Sequence, residues 1–108
     1  MTLTTALALI WVHFFADFVL QSDRVAQGKS SSNRILLSHV TLYSLPFLWW
    51  GWLFALITAV LHFVTDWCSS RVTRRLWQAN QRHWFFVVIG LDQALHLTAL
   101  FATWHWLQ

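Results

Sequence analysis

Residues 13–18 read HFFADF and residues 62–67 read HFVTDW, so one H-F-x-x-D-aromatic pattern occurs twice in the chain. Each copy lies inside a strongly apolar run. A third pair, Asp92 and His96, keeps the four-residue spacing in reverse order. Because residues four apart share one face of a helix, the pattern predicts three apolar helices that each present a histidine beside an aspartate.

The composition is typical of a membrane protein. Of the 108 residues, 57% are hydrophobic and only 10% are charged, whereas a soluble domain is about 25% charged. A globule of this length buries too little area to hide so much apolar surface. The length allows one domain over residues 1–108, and the single cysteine, Cys68, excludes an intramolecular disulfide.

Four apolar runs divide the chain, and each is close to the roughly 20 residues of a membrane helix. The sequence therefore predicts an all-α integral membrane protein with four transmembrane helices, arranged as two antiparallel hairpins. Since one hairpin separates the two HFxxD copies, the pattern also suggests a parallel internal repeat. The predicted spans are about residues 3–20, 35–50, 52–69 and 84–107.

The basic residues predict an orientation. All seven lysines and arginines fall in the two loops that follow the first and third runs. The positive-inside rule places both loops in the cytoplasm and both termini in the periplasm of a bacterial inner membrane. The net charge of +3 follows from this bias. Membrane lipid is therefore the expected partner, and nucleic acid is not. Homo-oligomerisation is left open.

The ionisable residues inside the runs are predicted to share one depth, in the cytoplasmic half of the membrane. Each aspartate there costs about 3 kcal/mol, and the runs hold no lysine or arginine to compensate. Histidine or a bound cation is then the expected counter-charge. Imidazole and carboxylate suit zinc first, with manganese, iron or nickel as alternatives, in one site or two. The predicted ligands are His13, Asp17, His39, His62, Asp66, Asp92 and His96.

Polar neighbours extend this predicted site. Four of them share helix faces with the ligands and are expected to orient the ligands by hydrogen bonds; they are Gln21, Tyr43, Thr65 and Gln93. Three arginines near the cytoplasmic mouth are predicted to hold a phosphate group; they are Arg24, Arg34 and Arg71.

The ordered motifs resemble those of an uncharacterised-domain (DUF) family of small bacterial and phage inner-membrane proteins. The similar segments are HFxADFxLQ from His13, a histidine early in the second run, HFxTDxxxSR from His62, and HWFFVVIGLDQxxH from His83. The resemblance covers nearly the whole chain. It implies four membrane helices and a bacterial or phage source, and it supplies no activity.

Three functions are open at this point. The first is a metal-dependent membrane hydrolase acting on a lipid or another phosphate-containing amphiphile. The second is a non-enzymatic protein that binds haem or metal, or that conducts protons or ions. The third is a membrane interaction module whose His–Asp pairs only hold the helices together.

Overall fold

The computed structural model describes all residues 1–108, and the chain is all-helical, in agreement with the predicted class. A π-helical turn, Phe15–Val19, continues the first helix, and a 3-10 segment, Leu45–Trp50, continues the third. The five α-helices are α1 (Leu3–Phe14), α2 (Asp23–Gly28), α3 (Asn33–Ser44), α4 (Trp52–Gln78) and α5 (Arg82–Trp106).

Hydroxyl side chains cap the N-termini of the three shorter helices. Thr2 accepts a hydrogen bond from the Thr5 amide at the start of α1. Ser22 and Ser32 act in the same way at the starts of α2 and α3. Such caps satisfy amides that have no partner within a helix, so these residues fix where the helices begin.

The prediction of four transmembrane helices is wrong. Only α4 and α5, with 27 and 25 residues, are long and apolar enough to cross a membrane. The first apolar run ends earlier, because α1 has 12 residues and its π turn adds 5. At 1.5 Å per residue this run rises about 26 Å, which is short of the roughly 30 Å of a bilayer core.

The second apolar run is also divided. Helix α3 has 12 residues and ends at Ser44. Pro46 lies at the start of the 3-10 segment that follows, and it lacks the amide that an α-helix would use there. Gly51 then turns the chain into α4 with a φ of 115°, which only glycine adopts readily. Neither half of this run is long enough to be a span.

The two predicted hairpins are not equivalent. Helices α4 and α5 pack along each other as one long antiparallel pair. Helix α1 packs instead against α5, and its π turn packs against α3. The four-span, multi-pass topology and the parallel repeat that depended on matching hairpins are therefore not supported.

The burial pattern is the reverse of that in a soluble domain. Eleven of the 20 buried residues are polar or charged, whereas large apolar side chains cover the outside. Val60 on α4 and Leu91 on α5, for example, are each 55% exposed. Soluble proteins mostly bury apolar groups and expose polar ones. The helices thus enclose a polar layer, and an apolar core around Phe47, Phe54 and Leu100 lies next to it.

Candidate metal centre

Four side chains from three segments point their ligand atoms at one place. Asp17 comes from the π turn, His39 from α3, and His62 and Asp66 from α4. All four are at least 96% buried. Nε2 of His39 lies 3.0 Å from Asp17 Oδ1 and 3.4 Å from Asp66 Oδ2. Nε2 of His62 lies 3.2 Å from Asp66 Oδ2, 3.5 Å from Asp17 Oδ1 and 3.4 Å from Nε2 of His39.

These four atoms, which we call the cage, have the dimensions of a tetrahedral metal site. In a regular tetrahedron an edge is about 1.63 times the distance from centre to corner, so zinc bonds of about 2.0–2.1 Å give edges of about 3.3–3.4 Å. The five measured edges run from 3.0 to 3.5 Å. Two nitrogens and two oxygens suit a divalent ion of the first transition row. Five of the six edges are thus close to tetrahedral, and the cage could hold a metal ion.

A second group of possible ligands adjoins the cage. Asp17, Asp92 and His96 also place ligand atoms close together, so Asp17 belongs to both groups. Nε2 of His96 lies 3.2 Å from Asp92 Oδ1 and 3.0 Å from Asp66 Oδ1. The Ser69 hydroxyl donates to Asp92 Oδ1. The structure thus brings six of the seven predicted ligands into one continuous centre.

The seventh predicted ligand, His13, lies one step outside the cage. Its Nδ1 is 2.7 Å from the Tyr43 hydroxyl, and its Nε2 is 2.7 Å from Gln93 Oε1. Because the amide oxygen only accepts, His13 donates from Nε2 and accepts from Tyr43 at Nδ1. The Gln93 amide nitrogen lies 3.5 Å from Asp17 Oδ2 and 3.0 Å from Asp92 Oδ2. Tyr43, His13 and Gln93 form a relay that fixes these two carboxylates.

A lysine supplies the counter-charge that the sequence did not reveal. Lys29 follows α2, and its Nζ lies 3.2 Å from Asp66 Oδ2. The preceding residue, Gly28, packs closely against α3, since a Cβ on Gly28 would lie only 2.6 Å from Ile35 Cδ1. The lysine contacts the same oxygen that forms a corner of the cage. A carboxylate oxygen has two lone pairs, so Asp66 can serve both an ion and Lys29.

A cavity of about 530 Å³ opens beside this centre. Asp17, Asp66 and Asp92 line it, whereas His39 and His62 do not. Its remaining wall combines two cations, several hydrogen-bonding groups and apolar side chains. These include Lys29, Arg74, Gln21, Ser69, Ser70, Gln93, Phe18, Phe85 and Ile89.

The other predicted residues are distributed around the centre. Gln21 and Gln93 line the cavity, and Thr65 is half-buried on α4. Arg24 is exposed on α2. Arg34 lies in a shallow depression on the outside of α3, and Arg71 donates to Asn33 Oδ1 and the Trp67 carbonyl. None of the three arginines lines the large cavity.

Arg74 and Ser70 were missed from the sequence although they line the cavity. Both lie within α4, beyond the apolar run of about residues 52–69 that was predicted as a span. Ser70 and Arg74 extend the HFxxD face by further steps of four residues from Asp66. That helical spacing is the signal by which Ser70 and Arg74 were identifiable.

Replacing Tyr43 by phenylalanine is expected to lower metal affinity about tenfold, the usual size of an effect transmitted through a ligand's hydrogen-bond partner. The phenylalanine ring preserves the stacking on His62, whose centroid lies 3.9 Å away, and it removes only the donor to His13. Competition against a calibrated chelator measures the affinity. Thr98→Val, which removes an exposed hydroxyl that donates to Ala94, is the control. An unchanged affinity in Tyr43→Phe would exclude the relay from the metal centre.

The chain belongs to the family described as "Protein of unknown function (DUF3307)", whose model matches residues 5–108. This confirms the resemblance to an uncharacterised-domain family. No curated protein matches the chain. No solved structure matches it.

Proposed function

We propose that this DUF3307 protein is a membrane-embedded, metal-dependent hydrolase that acts on a phosphate-containing amphiphile. The cage carries the proposal: four buried ligand atoms from three segments lie within 4.8 Å of one another, and five of their six separations are close to those in a tetrahedral zinc site. Zinc fits the mixed nitrogen and oxygen set best, with manganese, iron and nickel as alternatives. A bound divalent ion supplies Lewis acidity and ionises water near neutral pH.

The protein's own residues provide the remaining parts of a hydrolytic site. Asp92 lines the cavity in which the reacting end of a substrate would lie, and Nε2 of His96 is 3.2 Å from its Oδ1. Lys29 and Arg74 offer positive charge to a phosphate on the cavity wall. Phe18 and the neighbouring apolar side chains suit a hydrocarbon chain.

The exposed apolar surface supports a membrane location for the protein. Helices α4 and α5 are long enough to span a bilayer, and their outward faces carry large apolar side chains. A soluble monomer rarely exposes so extensive an apolar surface. We therefore infer a bacterial inner-membrane location, in which the α4–α5 turn lies on the cytoplasmic side because Arg71, Arg74, Arg75 and Arg82 cluster there.

The geometry favours this function over haem binding and proton conduction. A porphyrin does not fit between His39 and His62, whose Nε2 atoms are 3.4 Å apart. The relay from Gln93 through His13 ends at Tyr43, which packs against the buried ring of Phe47. The Phe47 ring offers no hydrogen-bonding group, so this relay does not continue through it.

The alternative of a purely structural cluster is less well supported. Hydrogen bonds that only hold helices together would pair each imidazole with one carboxylate. In the cage, both Nε2 atoms instead approach both carboxylates and each other, at 3.0 to 3.5 Å.

Elemental analysis of the purified protein tests the proposal. We expect at least about one divalent ion per chain in detergent-purified protein, and less than about a tenth of that in His62→Ala, which loses a corner of the cage. His105→Ala is the matched control, because His105 is exposed near the end of α5. Micelles of phosphate-bearing lipids then serve as substrates, and release of a water-soluble product should require the metal and His62.

Three outcomes would contradict the proposal. A wild-type protein that binds no divalent ion under any loading condition excludes a metal-dependent activity. Full metal content in folded His62→Ala excludes the cage as the site. If metal binds as expected but no phosphate ester or lipid is cleaved, the centre is not hydrolytic.

A further inference from the structure

The group formed by Asp17, Asp92 and His96 shares Asp17 with the cage and meets the cavity through its two carboxylates. Asp17 turns Oδ1 toward His39 in the cage, at 3.0 Å, and Oδ2 toward Gln93. The Gln93 amide nitrogen also reaches Asp92 Oδ2 at 3.0 Å. A carboxylate whose two oxygens face different partners in this way can bridge two metal ions. Asp17 and Asp92 line the cavity, as Asp66 of the cage does, whereas His39, His62 and His96 do not.

Two unpaired polar atoms on the cavity wall indicate that something binds there. The Ser70 hydroxyl has no hydrogen-bond partner, and its residue is only 7% exposed. Gln21 Oε1 is also buried and unpaired. Both residues line the same cavity as Asp92. Since buried polar groups nearly always find a partner, we expect these two atoms to form hydrogen bonds with a bound ligand that has its own donors and acceptors.

We propose that a second divalent cation binds to Asp17, Asp92 and His96, and that Asp17 bridges it to the ion in the cage. The inference rests on the proposed metal-dependent function. Three protein ligands leave coordination positions open toward the cavity, as in catalytic sites, whereas the cage supplies four ligands of its own. Two carboxylates and one imidazole make this site harder than the cage, so it suits Mn²⁺ better.

The chemistry of a paired centre defines the ligand as an anion with paired oxygens. Two divalent ions and Lys29 would carry five positive charges against the three carboxylates of Asp17, Asp66 and Asp92. The excess favours a phosphate group with about two negative charges. Metal ions about 3.5–4 Å apart hold both the attacking and the leaving oxygen of a phosphoryl group. The cavity-facing ion would bind that group directly.

Metal counting on the full chain tests the second site. Detergent-purified protein is stripped with a chelator, reloaded with Mn²⁺ and analysed for metal per chain. We expect about two ions in the wild type and about one in Asp92→Asn and in His96→Gln, since each variant loses one of three ligands. Asp23→Asn, an exposed aspartate in α2, should keep two. Paramagnetic resonance of the doubly loaded protein should show two coupled Mn²⁺ ions, because a bridged pair lies within about 4 Å.

The outcomes separate this inference from the function on which it rests. One ion in the wild type, with the same content in Asp92→Asn, overturns the second site and leaves the cage intact. No ion in the wild type overturns both. Two ions in both variants would mean that Asp92 and His96 are not ligands of the second ion. No ions in a folded variant would mean that the two sites are not separable. Two uncoupled ions overturn the bridge through Asp17.

Discussion

Replacing Asp66 by asparagine is expected to abolish metal binding and to lower the free energy of unfolding by about 3 kcal/mol. Its Oδ2 lies 3.2 Å from both Lys29 Nζ and His62 Nε2, and 3.4 Å from His39 Nε2. Its Oδ1 lies 3.0 Å from His96 Nε2. Asp66 thus contacts Lys29 and three histidines of the centre. The loss lies at the low end of the range for buried pairs, because the Lys29 side chain is 18% exposed and can turn into the cavity.

Thermal unfolding and metal analysis in the same detergent measure the two effects. Asp23→Asn is the matched control: it makes the same chemical change at an exposed position in the first turn of α2, where an acidic side chain contributes less than about 1 kcal/mol. A double mutant, Lys29→Gln with Asp66→Asn, should recover part of the loss, since it removes the unpaired ammonium.

The prediction has two independent ways to fail. If Asp66→Asn keeps its full metal content, the cage does not use this carboxylate and the tetrahedral interpretation is wrong. If the double mutant loses as much stability as the sum of the single variants, Lys29 and Asp66 are not energetically coupled, and the counter-charge assigned to the lysine has no effect on stability.

The side chains that converge at the candidate centre were largely predictable from the sequence. Four-residue spacing places His62 with Asp66 and Asp92 with His96 on single helix faces. The cost of a carboxylate in apolar surroundings favours a fold in which these faces meet. His39 joins them from α3, and the structure brings these residues and Asp17 together.

The different fates of the two HFxxD copies were not predictable. In α4 the histidine and aspartate both point into the cage, and their atoms are 3.2 Å apart. In the first copy a π turn begins at Phe15, between His13 and Asp17, and the corresponding distance is 3.8 Å. The wider turn separates the pair, so that only Asp17 reaches the cage. π-Helical turns of this kind are often found at functional sites, but they depend on tertiary packing that a local motif does not encode.

Helix length and the role of Lys29 were also hidden in the sequence. An apolar run shows which residues avoid water, but it does not show where the chain leaves the helix. Pro46 and Gly51 shorten the second run through backbone constraints. Lys29 lies in a basic loop that was interpreted as an orientation signal, and its contact with Asp66, 37 residues further along the chain, has no local sequence signal.

Replacing Leu95 by arginine is expected to reduce membrane integration of the α4–α5 hairpin by about a hundredfold or more. Leu95 lies near the middle of α5, 46% exposed on its outward face. On insertion scales, exchanging leucine for arginine at the centre of a spanning helix costs about 3–4 kcal/mol. On the surface of a water-soluble domain the same exchange would change stability by about 0.5 kcal/mol or less.

Resistance of the membrane fraction to alkaline extraction measures integration. Leu107→Arg is the matched control, since Leu107 is exposed at the end of α5, where a long basic side chain extends to the aqueous interface at little cost. Equal integration of both variants would mean that the outward face of α5 does not contact lipid. The polar layer around Asp66 would then belong to a protein whose apolar surface is covered by something other than lipid. The proposal of an amphiphilic substrate would lose its main support.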